Sequence, residues 1–169
     1  MSGTPFSGDA FELGSDRLGR AVDLRVMASA QARELAEVFA QMDPWNRLGQ
    51  SAQTIEGVLA GGEPGASSYL ICVDQSPAGA VVVHAPWLLG AYLKFVGLLP
   101  DYQEGGVGAC ALRWIEDEAR GAFGNLWVCT SAFNARAAEF YQANGFARIA
   151  VLEDLIVEGE DEILLRKRI

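Results

Sequence analysis

The sequence predicts an α/β chain of the α+β kind, with a mixed, mostly antiparallel central sheet of about seven strands flanked by about four helices. Two observations point to it. Between Ser68 and Leu99, three strand-like runs are joined by connections shorter than the roughly dozen residues a parallel crossover requires. After Pro100 the period switches to alternating helix and strand, so the order reads β-α-α-β-β-β-α-β-α-β-β. A doubly wound parallel sheet would alternate from its first strand.

Each element has its own signal. Residues 1–20 are rich in Gly, Ser and Asp with scattered apolar positions, and read as an N-terminal tail or arm ahead of one domain at 21–169. Ala21 to Val26 alternates apolar and charged residues, as a strand with one buried face does. From Ser29, read as the cap, the spacing of Leu35, Val38, Phe39 and Met42 is helical, and the helix ends before Pro44. Ser51 caps a short second helix carrying Ile55, Val58 and Leu59, stopped by Gly61 and Gly62. Ser68–Val73, Ala78–His84 and Tyr92–Leu99 are the three strand-like runs. A helix then spans about Gly106 to Arg120, a strand Leu126 to Thr130, and a helix Asn134 to Asn144, ended by Gly145 in the position suited to a left-handed cap. Phe146–Val157 and Glu162–Arg168 read as the last two strands.

The 169 residues, 50% of them apolar, suit a single core. Thirteen Lys and Arg against 22 Asp and Glu leave a net charge of −9, which argues against nucleic acid and against an anionic membrane surface as partners. No apolar stretch nears the ~20 residues of a membrane span. The first residues hold acids and glycines where a secretory signal needs a basic and then an apolar run, so a cytoplasmic protein is expected. Three scattered cysteines and one histidine leave no structural zinc set, and no metal is expected. Cys72, Cys110 and Cys129 read as small buried hydrophobes in a reducing compartment.

The most informative segment is Leu98-Leu99-Pro100-Asp101-Tyr102-Gln103-Glu104-Gly105-Gly106-Val107-Gly108-Ala109. A strand runs into a glycine turn and then directly into a helix. Glycines let the backbone approach a ligand closely, and the first amides of a helix have no internal partner. With the helix dipole they form a site for a phosphate or pyrophosphate, or else a tight turn without a ligand. The P-loop pattern fails, because Gly108 is followed by Ala109 and Cys110 rather than Lys and Ser or Thr. A dinucleotide fingerprint fits Gly106 to Ala111, but the acid it expects ~20 residues on is missing from Thr130 to Phe133.

Gln103-Glu104-Gly105-Gly106-Val107-Gly108 resembles the acyl-CoA signature Q/R-x-x-G-x-G/A of the GNAT superfamily of N-acyltransferases. Downstream, Asn134 to Phe146 resembles the same family's N-x-x-A-x-x-F-Y-x-x-x-G-F helix and following strand. The resemblance implies acetyl-CoA as cosubstrate, with transfer to a primary amine by direct attack. The acceptor would be a small-molecule amine or a protein amino terminus, and the assembly a homodimer. By the same resemblance, the strands on either side of the glycine helix diverge around the pantetheine arm. Leu98 and Leu99 would offer it backbone hydrogen bonds, and Asn134 would meet it from the other side. The amides of Gln103, Glu104, Gly105, Gly106, Val107, Gly108 and Ala109 would hold the pyrophosphate. Tyr141 would protonate the departing thiolate, a general-acid role open to a positioned phenol; packing beside Phe140 is its other reading.

The base is not legible. Tyr92 to Gly97 holds no carboxylate, while Glu153, Asp154 and Asp43 read as surface acids and His84 as a structural residue. Cys129 falls near the expected acyl site without an activating partner. The turn carries Glu104 and Gly105 where relatives often place Lys or Arg, so Arg136 or Arg113 would have to compensate. These departures keep open an alternative, a CoA-binding regulatory module that has lost catalysis. Trp45 would either line the acceptor side or close the core.

Overall fold

The structure, a computed structural model, describes residues 4–169. Its sheet has eight strands: β1 (Ala10–Ser15), β2 (Ala21–Val26), β3 (Ala66–Val73), β4 (Ser76–Trp87), β5 (Gly90–Leu98), β6 (Asn125–Ser131), β7 (Ala147–Val157) and β8 (Glu160–Arg168). Their order across the sheet is β1-β2-β3-β4-β5-β6-β8-β7. Every neighbouring pair is antiparallel except β5 and β6. The four helices are α1 (Ser29–Phe39), α2 (Ala52–Leu59), α3 (Val107–Ala119) and α4 (Ala135–Ala143). None is long and apolar enough to cross a membrane.

The alternation of apolar residues in the strands divides the core by the two faces of the sheet. On one face Leu35, Phe39, Ile55 and Leu59 of α1 and α2 pack against Leu70, Val82 and Phe95. On the other, Cys110, Ala111, Trp114 and Ile115 of α3 pack against Leu24, Ile71, Val81 and Leu93.

The arm expected at residues 1–20 is in part an eighth strand. β1 pairs with β2, and Phe6 is buried with its ring 5.5 Å from Trp114. Tyr69 donates to the Phe6 carbonyl at 2.8 Å, and Glu118 accepts from the Phe6 amide at 3.1 Å. The sequence hid this because Phe6 and Phe11 act as single aromatic anchors on a distant helix rather than as a periodic run. A smaller expectation is also corrected, and one short element is new. Ser29 is the first residue of α1 and the cap is Ala28, whose amide is taken by the Gln31 side chain at 3.2 Å. Pro100–Tyr102 forms a 3-10 turn.

The feature that positions the site lies in β5. Val82 pairs with Phe95 and Val83 with Leu93, so Lys94 is an extra residue, a bulge. It turns Leu93 to the α3 face and Phe95 to the α1–α2 face. The parallel pairing with β6 covers Ala91–Leu126, Tyr92–Trp127 and Leu93–Val128 and ends at the same place. Beyond it, β5 follows β4 while β6 follows β8, and a gap opens between them.

Backbone proximity around this gap makes a stability test. A Cβ on Gly79 would strike the Gly97 carbonyl oxygen across the β4–β5 ladder, whereas one on the exposed, helical Gly57 would meet nothing. Gly79→Ala is expected to lower unfolding free energy by about 1–3 kcal/mol, and Gly57→Ala to raise it by about 0.5–1 kcal/mol, in urea melts.

Candidate active site

The glycine turn sits at the head of the gap. Gly105 and Gly106 have φ of 102° and 88°, a left-handed backbone that side chains rarely adopt. The first helical bond of α3 runs from the Cys110 amide to the Gly106 carbonyl at 3.1 Å. The amides of Val107, Gly108 and Ala109 precede it, in the turn where a helix leaves its N–H groups unpartnered. Val107 is fully buried and lines neither of the two cavities in the gap, so the turn offers Gly106, Gly108 and Ala109 around it.

The turn between β1 and β2 braces this loop. Burial alone would raise the Asp16 carboxyl, but bonds from the Arg20 amide and guanidinium and from the Leu18 amide hold it below its ordinary range. The Arg17 amide donates to the Gly105 carbonyl at 2.7 Å. The Arg20 guanidinium lies 5.5 Å above the Tyr102 ring and reaches the Glu104 carbonyl at 3.4 Å. The Arg17 side chain runs past Gly106, 3.3 Å from where a Cβ would stand.

Two cavities occupy the gap. One, of about 540 Å³, is floored by the glycine turn, with Gln103, Glu104, Gly105, Gly106, Gly108 and Ala109 on one side and Arg17 and Arg136 at its edges. The other, of about 350 Å³, lies toward α1 and α2, between Trp45, Leu48, Val58 and Phe95 on one wall and Cys129, Ser131 and Glu162 on the other. They share Pro44, Trp45, Val96, Asn134, Ala137 and Tyr141.

Tyr141 therefore faces both. Its ring is held edge-on to Phe140 and Phe146 at 5.2 and 5.5 Å, and burial raises its pKa, keeping the phenol protonated. Asn134 lines both cavities while its Oδ1 caps α4 from the Ala137 amide at 3.1 Å. Leu98 lines the larger cavity, its carbonyl accepting from Gln103 Nε2 at 3.2 Å. Leu99 does not line either. Its amide bonds to Ala78 and its carbonyl accepts from Tyr102, so both backbone groups expected to serve a ligand are taken by the fold.

The carboxylate that the sequence did not point to is Glu162. It is only 4% exposed, lines the smaller cavity, and accepts from the Ser131 hydroxyl at 2.5 Å. Burial pushes its pKa up, against the lowering effect of that hydrogen bond. The available signal was strand period. Glu162, Leu164 and Arg166 alternate with the buried Ile163 and Leu165, placing an acid on one face of a strand that crosses the core.

The acids considered earlier lie elsewhere. Glu153 and Asp154 are exposed, and Asp154 accepts from the Gly159 amide at 2.6 Å in the hairpin turn. Asp43 sits exposed at the rim of the larger cavity, and His84 faces Glu63 at 3.9 Å. Glu104 points to solvent and meets Arg136 at 3.7 Å, as compensation required, while Arg113 is turned onto the Cys110 sulfur at 3.3 Å. Arg17, from the stretch read as an arm, adds the second cation. Trp45 both lines the cavities and closes the core, stacked on Phe95 at 4.7 Å.

The sequence profile of the Acetyltransferase (GNAT) family matches residues 29–146, from α1 through Phe146. The chain belongs to this family. GNAT membership makes it an acyl-CoA-dependent acetyltransferase with acetyl-CoA as donor. Among solved structures, the GNAT fold recurs in Mycobacterium smegmatis RimJ in complex with CoA-disulfide, at 16% identity and TM-score 0.73, over 98% of this chain and 90% of that one. It recurs in a GNAT family acetyltransferase from Elizabethkingia anophelis with acetyl-CoA bound, at 18% identity and TM-score 0.67, over 88% and 98%. Spermidine N-acetyltransferase SpeG from Vibrio cholerae shares 13% identity at TM-score 0.66, over 87% and 93%. No curated protein matches the sequence.

In this GNAT site Cys129 is half-buried, and burial, the largest influence on it, raises its thiol pKa. Its thiolate fraction at pH 7.5 is thereby reduced. Alkylation of Cys129 by iodoacetamide, followed by mass spectrometry, is expected to be slower in the native protein than in urea.

Proposed function

We propose that the chain moves the acetyl group of acetyl-CoA onto a primary amine by direct attack, without a covalent enzyme intermediate. The observation that carries this is the meeting of a donor cavity and an acceptor cavity at the buried, protonated Tyr141. Solved relatives of the same fold that hold CoA-disulfide or acetyl-CoA support the donor assignment.

In this reading the amides of Glu104, Gly105, Gly106, Gly108 and Ala109 take the pyrophosphate, aided by the dipole of α3, while the Gln103 amide is held by Pro100 and Val107 is buried. Arg17 and Arg136 offset the negative charge of Glu104 and of the phosphates. Backbone groups of Leu98 and the side chain of Asn134 flank the pantetheine arm. Glu162 is the general base. Its raised pKa brings it closer to the range in which a carboxylate takes a proton efficiently, and Ser131 orients it. The bound ammonium first gives one proton through Glu162 to solvent, which frees its lone pair. As the nitrogen–carbon bond forms and the carbon–sulfur bond breaks, the nitrogen's second surplus proton passes to Glu162 and Tyr141 protonates the departing sulfur. A proton then returns from Glu162 to Tyr141 through the solvent-connected cavity, restoring both groups.

Tyr141→Phe is expected to lower kcat by about 10²–10⁴, with CoA binding and melting temperature retained. The base must be ionised, so kcat falls as pH drops through the Glu162 pKa, which lies above the ordinary glutamate value of 4.5. In Glu162→Gln that acid limb disappears and the plateau drops, as read from kcat at saturating amine between pH 4 and 9. Tyr141 stays protonated over the same range because its pKa is raised, so no alkaline limb from it is expected there.

The cation from the β1–β2 turn has its own test. Arg17→Ala is expected to raise the KM for acetyl-CoA about tenfold, the size of a charge-assisted hydrogen bond, while leaving kcat unchanged. With S-acetylpantetheine, which lacks the phosphates, wild type and variant should have equal KM.

A further inference from the structure

Resting on the acetyl-transfer reading, we propose that the acceptor is a small primary amine carrying one positive charge on an apolar body of about aromatic size. The cavity beyond Tyr141 has the composition for such a molecule. The stacked Trp45 and Phe95, with Leu48, Ile55 and Val58, form one continuous apolar wall on the α1–α2 side. Leu155 and Ile156 stand at the cavity on the opposite side, 57% and 44% exposed, in the stretch where the β7–β8 register breaks between Leu152 and Val157. Exposed apolar side chains beside a cavity are covered when an apolar ligand enters, and the area removed from water favours binding.

Charge limits the acceptor further. Glu162 is the one carboxylate among the residues lining this cavity, and it is buried. Lys94 is the one cation lining it, and its ammonium is already paired with Glu63 at 2.5 Å. A single ammonium placed at Glu162 is matched. A second or third ammonium on the same molecule would be held against Trp45, Leu48 and Val58 with no counter-charge, and an unpaired buried charge is strongly disfavoured. The volume, about 350 Å³, lies at the low end of the ~300–1,000 Å³ of small-molecule sites.

The wall that carries Leu48 is tied down by the residue before it. Arg47, from the α1–α2 connection, pairs with Glu160 of β8 at 2.8 Å and lies 3.9 Å over the Phe133 ring. This strap joins the α1–α2 connection to the β7–β8 hairpin and to the β6–α4 loop. A peptide amino terminus seated at Glu162 would press its first amide groups against the apolar side chains of Leu48, Val58 and Phe95, which pair with none of them.

The test measures both turnover and binding, on the full chain. Benzylamine, 2-phenylethylamine, 3-phenylpropylamine, spermidine and an alanyl peptide amide are compared in thiol release from acetyl-CoA and in calorimetric binding to the CoA-loaded protein. Among the aryl amines, kcat/KM and affinity are expected to rise about fourfold per methylene until the cavity is full. Spermidine and the peptide should fall at least about tenfold below 2-phenylethylamine, the scale on which such pockets discriminate. Gln50→Glu, which adds a second carboxylate to the cavity lining, should raise spermidine relative to 2-phenylethylamine about tenfold and leave the melting temperature unchanged. If spermidine or the peptide equals or exceeds 2-phenylethylamine in the wild type, the acceptor class is overturned and acetyl transfer stands. If aryl amines bind selectively without turnover, acetyl transfer fails, and with it their standing as acceptors, while the match of the cavity to a singly charged aryl amine as ligand stands. If none of the aryl amines binds or reacts, the acceptor class is overturned.

Discussion

The site depends on one interruption in backbone pairing. A sheet satisfies its N–H and C=O groups by lateral hydrogen bonds, and a strand that loses a neighbour exposes a row of them. The parallel pairing of β5 and β6 stops at Leu93 and Val128, where the bulge at Lys94 also falls. The bulge bends β5 toward β4, and β6 is drawn toward β8, so the two cannot rejoin. The unpaired edge of β5 is left facing a cleft in the middle of the sheet. Both cavities, the end of β5 at the glycine turn, and the acid on β8 owe their places to that divergence.

The walls of the cleft are rigid because each is backed by a packed layer. Phe39, Trp45 and Phe95 form an aromatic cluster with centroid separations of 4.7–5.3 Å behind the smaller cavity. Phe140, Tyr141 and Phe146 form a second cluster at the far side. Helix α3 presents its free amides to the larger cavity only because the β1–β2 turn, organised around the buried Asp16, braces the loop from behind. An edge hairpin thus takes part in shaping the larger cavity as well as extending the sheet.

Electrostatics separate the cleft into two environments. The end at the glycine turn has fixed partial positive charge from the helix start, with Arg17 and Arg136 beside it, which suits an anion in a chain whose net charge is −9. The end toward α1 and α2 is largely apolar, with one carboxylate whose ionised form is disfavoured by burial and steadied by Ser131. Tyr141 and Asn134 stand on the boundary. A thioester with an anionic tail and an amine with a cationic head would be drawn in from opposite ends and meet there.

The sequence by itself determined what is local. The helix and strand periods, the Ser51 cap, the glycine turn and the Asn134–Phe146 pattern are set by spacing along a few turns of chain, and the family was legible from them. Tertiary structure decided what is assembled from distant segments. Glu162 becomes a buried acid because β8 inserts between β6 and β7, and nothing around it in the chain distinguishes it from Glu160. Arg17 reaches the glycine turn only through pairing of β1 with β2, and Leu99 is withdrawn from the cleft by its bonds to Ala78 and Tyr102. Burial and charge pairing depend on which surfaces meet, and a linear pattern specifies its own periodicity without naming its neighbours.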